Sequence, residues 1–112
     1  MSIPRIKVTV VNKLDMRDVH PEGGSGCAPD FEPVCPLFDV GDEFILDVGE
    51  PPRGFCQAAF DDIHRYISGL RFGANYPWMA EQGTATACCT DGLRPVVFFL
   101  ERLDQAGPAS SE

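Results

Sequence analysis

From Arg5 to Val11 apolar and polar positions alternate, with Ile6, Val8 and Val10 on one face and Lys7, Thr9 and Val11 on the other. That two-residue period predicts a half-buried strand. A second alternation runs from Glu43 to Val48, entered through the turn signal Gly41-Asp42, with Phe44, Leu46 and Val48 set against Glu43, Ile45 and Asp47. Beyond the break at Pro51-Pro52-Arg53-Gly54 the period changes. Cys56, Ala59, Phe60, Ile63, Tyr66, Ile67 and Leu70 recur every three or four residues, the spacing of one helical stripe, and Gln57, Asp61, His64, Arg65 and Ser68 form the opposite face. Gly73 suits the left-handed C-terminal cap that ends such a helix. Thr84 to Cys89 alternates small residues and Val96 to Leu103 is β-branched and aromatic, joined by Thr90-Asp91-Gly92 and Pro95, so the two read as a hairpin.

Four strands and one helix make an α+β fold, a small antiparallel sheet hiding one face under the main helix. The run Phe98-Phe99-Leu100 suggests a strand covered on both faces, which would suit a partly closed barrel. Residues 12–36 lose all periodicity in a stretch containing Pro21-Glu22-Gly23-Gly24-Ser25-Gly26 and read as a long loop. Residues 105–112 read as a flexible tail, leaving 1–104 as one domain, the size expected of a chain of 112 residues.

Charge narrows the partners. A net charge of −8 repels phosphate backbones and anionic bilayers, so neither nucleic acid nor membrane is expected. The first residues carry no signal-peptide core, and no run is long enough to span a bilayer, which makes the cytoplasm the expected location.

Five cysteines, at 27, 35, 56, 88 and 89, are an odd number without an export signal, and free thiols are the simplest reading. No C-x2-C pair announces a zinc site. A site for zinc or another thiophilic metal assembled from Cys35, Cys56 and Cys88 or Cys89 stays open as an alternative. In a regular strand Cys88 and Cys89 point to opposite faces and cannot serve one site together; the alternative is that the ladder has already ended and both thiols sit in the turn with Asp91 and Gly92, where they could converge on a metal. Cys56, in the first turn of the expected helix, meets partial positive charge that favours a thiolate, although it also starts the apolar stripe.

Asp61, Asp62 and His64 are the one acid/base cluster with helical proximity, positions 61 and 64 sharing a face. Arg71, Trp78 and Arg94 offer guanidinium groups and an aromatic plate to an anionic or conjugated small molecule. They have structural readings too, Trp78 closing the core and Arg94 bracing the hairpin turn through Asp91. No dinucleotide fingerprint or phosphate-binding glycine loop is present.

Cys35-Pro36, Gly41-Asp42-Glu43-Phe44, Gly54-Phe55-Cys56, Leu70-Arg71-Phe72-Gly73, Pro77-Trp78 and Cys88-Cys89-Thr90-Asp91-Gly92 with Arg94-Pro95-Val96 follow one another along the chain. In this succession, from Ile6 to about Arg102, the protein resembles a family of short bacterial proteins that has no general assigned activity. The resemblance implies that Cys35, Cys56 and the Cys88-Cys89 pair belong to the family pattern, whereas Cys27 and His64 lie outside it. The residues lead to the expectation of a small-molecule enzyme using acid/base chemistry without an organic cofactor, for a dehydration, isomerisation or cyclisation. In it His64 with Asp61 or Asp62 moves the proton, Cys56 or Cys89 lines the pocket, and Arg71 or Arg94 holds an anionic group. The alternative is a non-catalytic accessory protein carrying a thiol-bound metal.

Overall fold

The computed structural model describes residues 3–20, 32–47 and 51–103. Strands β1 (Ile6–Lys13), β2 (Glu43–Leu46), β3 (Thr84–Cys88) and β4 (Val96–Arg102) form one antiparallel sheet in the order β2-β1-β4-β3. A short helix α1 (Met16–Val19) follows β1, and the 15-residue helix α2 (Gln57–Arg71) packs on the sheet. The fold is therefore α+β. No barrel forms among the described residues: β2 pairs only with β1 and β3 only with β4, so both edges stay open.

One sheet face and one helical stripe make the core. Ile6, Val8, Val10, Leu46, Ala85, Ala87, Val96, Phe98 and Leu100 are buried from the sheet, and Ala59, Phe60, Ile63, Ile67 and Leu70 from α2. Phe38, from the segment before β2, sits edge-on to Phe98 at 5.3 Å and to Phe55 at 5.2 Å between ring centroids, so it anchors that segment in the core. Among the described residues no helix or second sheet covers the other sheet face. Val97 and Phe99 on it are only half-buried, against the expectation of a strand covered twice.

The expected loop at 12–36 is shorter than its composition suggests. β1 continues to Lys13, and α1 forms with Asp15 as its N-cap, the carboxylate accepting the N–H of Arg17 at 2.8 Å. The alternation is lost at Val11 because the strand bulges there: Val10 pairs with Phe98, but Asn12 already pairs with Val97. One extra residue reverses the phase. Lys13 consequently lies opposite the buried Val96, on the core side of the sheet instead of with Lys7 and Thr9. There its ammonium donates to the carbonyl oxygens of Phe38 at 2.5 Å and Cys35 at 3.1 Å.

α2 starts from Gly54, whose φ of 88° is a left-handed conformation that glycine adopts without a steric cost. Cys56 is its N-cap and not a first-turn residue. The helix ends before Gly73, at φ 96°, as its sequence predicts. Arg102 reaches across from β4 to hold the carbonyl of Leu70, in the last turn of α2, at 2.9 Å and that of Ala74, beyond the helix, at 2.8 Å, and so ties the helix end to the sheet. Trp78 does not close the core: it is 68% exposed and stacks on Tyr76. Among the described residues no helix is long and apolar enough to cross a membrane. Cys27, Val48, the glycine-containing stretch and the tail lie outside the described residues.

Candidate functional site

A cavity of about 270 Å3 opens beside the N-terminal end of α2, just under the ~300 Å3 at which small-molecule sites commonly begin. Three segments far apart in sequence build it. Cys35, Leu37 and Phe38 come from the segment before β2; Cys56, Ala58, Ala59 and Asp62 come from α2 and its cap; Cys89, Thr90, Asp91, Arg94 and Val96 come from the end of β3 and the connection into β4.

Helical phase decides which candidates of α2 reach the cavity. Asp62 stands three residues beyond Ala59 and four beyond Ala58, hence on the same face, and the small alanines leave the space that a larger side chain would fill. Asp61, about 100° further round the helix, is exposed and accepts a hydrogen bond from Gln57 Nε2 at 3.0 Å. His64 is exposed too and lies against the Phe60 ring, 5.4 Å between centroids. The acid/base cluster read from the sequence is thus split: Asp62 lines the cavity, and Asp61 and His64 do not.

The thiols are split as well. Cys89 turns inward, where its Sγ accepts the N–H of Val96 at 3.3 Å, while Cys88, on the opposite sheet face, is exposed. Local desolvation, with Cys89 and Asp62 nearby, pushes the Cys88 thiol above its ordinary pKa. Cys35 is buried, and Cys56 and Cys89 are half-buried. As N-cap, Cys56 makes no side-chain hydrogen bond to the helix, so its thiol remains available to the cavity. All four described cysteines are free thiols, and among the described residues no group of three or more His, Cys, Asp or Glu side chains is arranged to hold a metal ion. Cys35, Cys56 and Cys89 line the same cavity without forming a ligand set.

The walls are tied together by polar contacts. Asp62 Oδ2 accepts the N–H of Thr90 at 2.8 Å, joining α2 to the segment that carries Cys89. Asp91 accepts the N–H groups of Leu93 at 2.8 Å and Arg94 at 3.0 Å, an Asx turn that shapes the connection into β4. The Arg94 N–H chiefly, then that of Leu93 and the Arg94 charge, lower the Asp91 carboxyl below its ordinary pKa. Arg94 meets Asp91 through its backbone N–H, and its guanidinium donates to the Glu32 carbonyl at 3.3 Å. His20 Nε2 lies 2.6 Å from the Gly92 carbonyl oxygen and fastens the end of α1 to the same connection.

Of the remaining binding candidates, Arg94 lines the cavity, whereas Arg71 bonds the Asp47 carbonyl and Trp78 stacks on Tyr76, both outside it. Lys13 was missed as a determinant of the site, because the strand alternation assigns it to the solvent face and only the bulge moves it. In comparison with known proteins, the chain matches no family model, no curated protein and no solved structure.

Proposed function

We propose that this cavity is the substrate site of a small-molecule enzyme that works by proton transfer, without an organic cofactor, in a dehydration, isomerisation or cyclisation. One observation carries the reading: a carboxylate, Asp62, and the thiols of Cys56 and Cys89 line one cavity together with the apolar Leu37, Phe38 and Val96. Carboxyl and thiol groups as classes titrate on either side of neutrality, so a cavity holding both offers a proton acceptor and a proton donor to one bound molecule. The proton-moving role falls to Asp62 with a thiol, because His64 and Asp61 lie outside the cavity.

The test is a metabolite panel monitored by amide chemical shifts of the labelled full chain and by loss of substrate signals. A compound that shifts Cys56, Asp62 and Cys89 and is consumed by the wild type, but not by Asp62→Asn, supports the reading. Binders that shift only other surfaces, with no turnover, sink it.

A second reading, a non-catalytic protein whose thiols carry zinc or another thiophilic metal, would need Cys35, Cys56 and Cys89, which line the cavity from three segments, to draw together into a ligand set. Elemental analysis after purification without chelator separates the two: stoichiometric metal lost on Cys56→Ser and Cys89→Ser, without turnover, favours the carrier.

A further inference from the structure

The charges around the cavity do not balance. Asp91 accepts two backbone N–H groups of its own turn, and the Arg94 charge favours its ionised form, so among the described residues the one cation lining the cavity stands against two carboxylates, Asp91 and Asp62. Asp62 has no such compensation. Its Oδ2 accepts one backbone N–H, from Thr90, and among the described residues no Lys, Arg or His lies within ion-pair distance of either oxygen. A carboxylate in that position, at the edge of an apolar wall and in a chain of net charge −8, has an unused acceptor oxygen and a surplus negative charge. The apolar residues beside it shield it in part from water, which strengthens its attraction for a cation and its repulsion of an anion.

We propose that the ligand of this cavity is a small amine, its ammonium group bonded to Asp62 and its hydrocarbon part lying against Leu37, Phe38 and Val96. This rests on reading the cavity as a small-molecule site and names the substrate class within it. It replaces the anionic ligand that Arg71 and Arg94 suggest in sequence: Arg71 is outside the cavity, and Arg94, whose guanidinium donates to the Glu32 carbonyl, shares the lining with two carboxylates, Asp62 and Asp91. An ammonium has three donors, of which one suffices for the open carboxylate oxygen; Cys56 and Cys89 offer sulfur as weak acceptors for the others. The apolar wall then selects for an alkyl group of a few carbons, which a cavity of about 270 Å3 admits.

Three probes of one shape separate the charge states: 3-methylbutylamine, 3-methylbutanol and 3-methylbutanoate, each titrated into labelled full-length protein near neutral pH. The expected result is that the amine shifts the amides of Cys56, Ala59, Asp62 and Cys89 and binds about tenfold more tightly than the alcohol, as one added charge-assisted hydrogen bond implies. The carboxylate binds weakest. Raising the salt concentration narrows the gap between amine and alcohol in the wild type. Asp62→Asn keeps an acceptor for Thr90 and removes the charge, and it brings the amine down to the level of the alcohol. Carboxylate binding at the same amides, as tight as or tighter than that of the amine, overturns the amine assignment and leaves the cavity reading standing. No localised shift with any of the three overturns both.

Discussion

The Asp62 carboxylate accepts the backbone N–H of Thr90 at 2.8 Å, so the helix and the segment leaving β3 are held together by the same side chain that faces the cavity. A hydrogen bond with one charged partner contributes on the order of 1.5–3 kcal/mol, reduced here because the site is only partly shielded. Asp62→Ala is expected to lower stability by about 1 kcal/mol in urea titrations, and Asp62→Asn by less, since its amide oxygen still accepts from Thr90. Equal losses for the two variants would show that the bond to Thr90 contributes nothing.

Most of the fold was legible because each element rests on a local period. The stripe from Ala59 to Leu70, the alternations of β1, β3 and β4, and the stop at Gly73 all follow from residues adjacent in sequence. What escaped were features set by pairing across the sheet. The bulge at Val11 depends on how β1 meets β4, and it carries Lys13 with it. The site was legible in its residue types and not in its grouping. Asp61 and Asp62 are indistinguishable as a sequence pair, and only the rotation of α2 against the sheet brings one to the cavity and leaves the other in solvent. Trp78 misled for the opposite reason: a large aromatic ordinarily belongs inside, yet here Tyr76 takes the place against α2 and Trp78 stacks outside it.

Lys13 offers a test of how the outer wall is held. Its ammonium holds the carbonyls of Cys35 and Phe38, residues that line the cavity. Lys13→Met leaves both carbonyls without that donor and is expected to cost about 2 kcal/mol. The more specific expectation is a faster reaction of the buried Cys35 with iodoacetamide, while that of the exposed Cys88, on the far face of the sheet, stays unchanged. Lys13→Arg should restore part of the protection. If Cys35 reacts at the wild-type rate in Lys13→Met, the ammonium does not hold this wall.

Gly69 sits inside α2, where glycine costs roughly 1 kcal/mol relative to alanine. The structure accounts for its presence: a Cβ at position 69 would collide with the Tyr76 hydroxyl, whereas the ring carbon that bears it is 3.5 Å away, an ordinary contact. Tyr76 is braced between Tyr66 at 5.6 Å and Trp78 at 5.2 Å between centroids and cannot withdraw without disturbing both. Gly69→Ala alone should therefore gain nothing, or destabilise. In a Tyr76→Phe background the same change should stabilise by about 0.5–1 kcal/mol, because the hydroxyl is gone and the helix propensity is realised. Denaturation midpoints of the four proteins in the cycle check this, and additive effects would refute the steric account.

Asp91 ties stability to pH through the turn that shapes the cavity. The N–H of Arg94, then that of Leu93 and the Arg94 charge, favour its ionised form, so its folded pKa lies below the ordinary 3.8. The unfolded chain takes up the proton first as the pH falls, and the stabilisation is lost from about the ordinary value downward through the lowered one. Above that window the contribution is fully present. The difference in urea midpoint between the wild type and Asp91→Ala should accordingly be constant between about pH 7 and pH 5 and should shrink at about pH 3 and below. Asp91→Asn, which keeps an oxygen for both N–H groups but no charge, should show a smaller difference with the same pH dependence. A wild-type advantage over Asp91→Ala that persists unchanged in strong acid would mean that packing of the turn, and not the ionised carboxylate, holds the connection into β4.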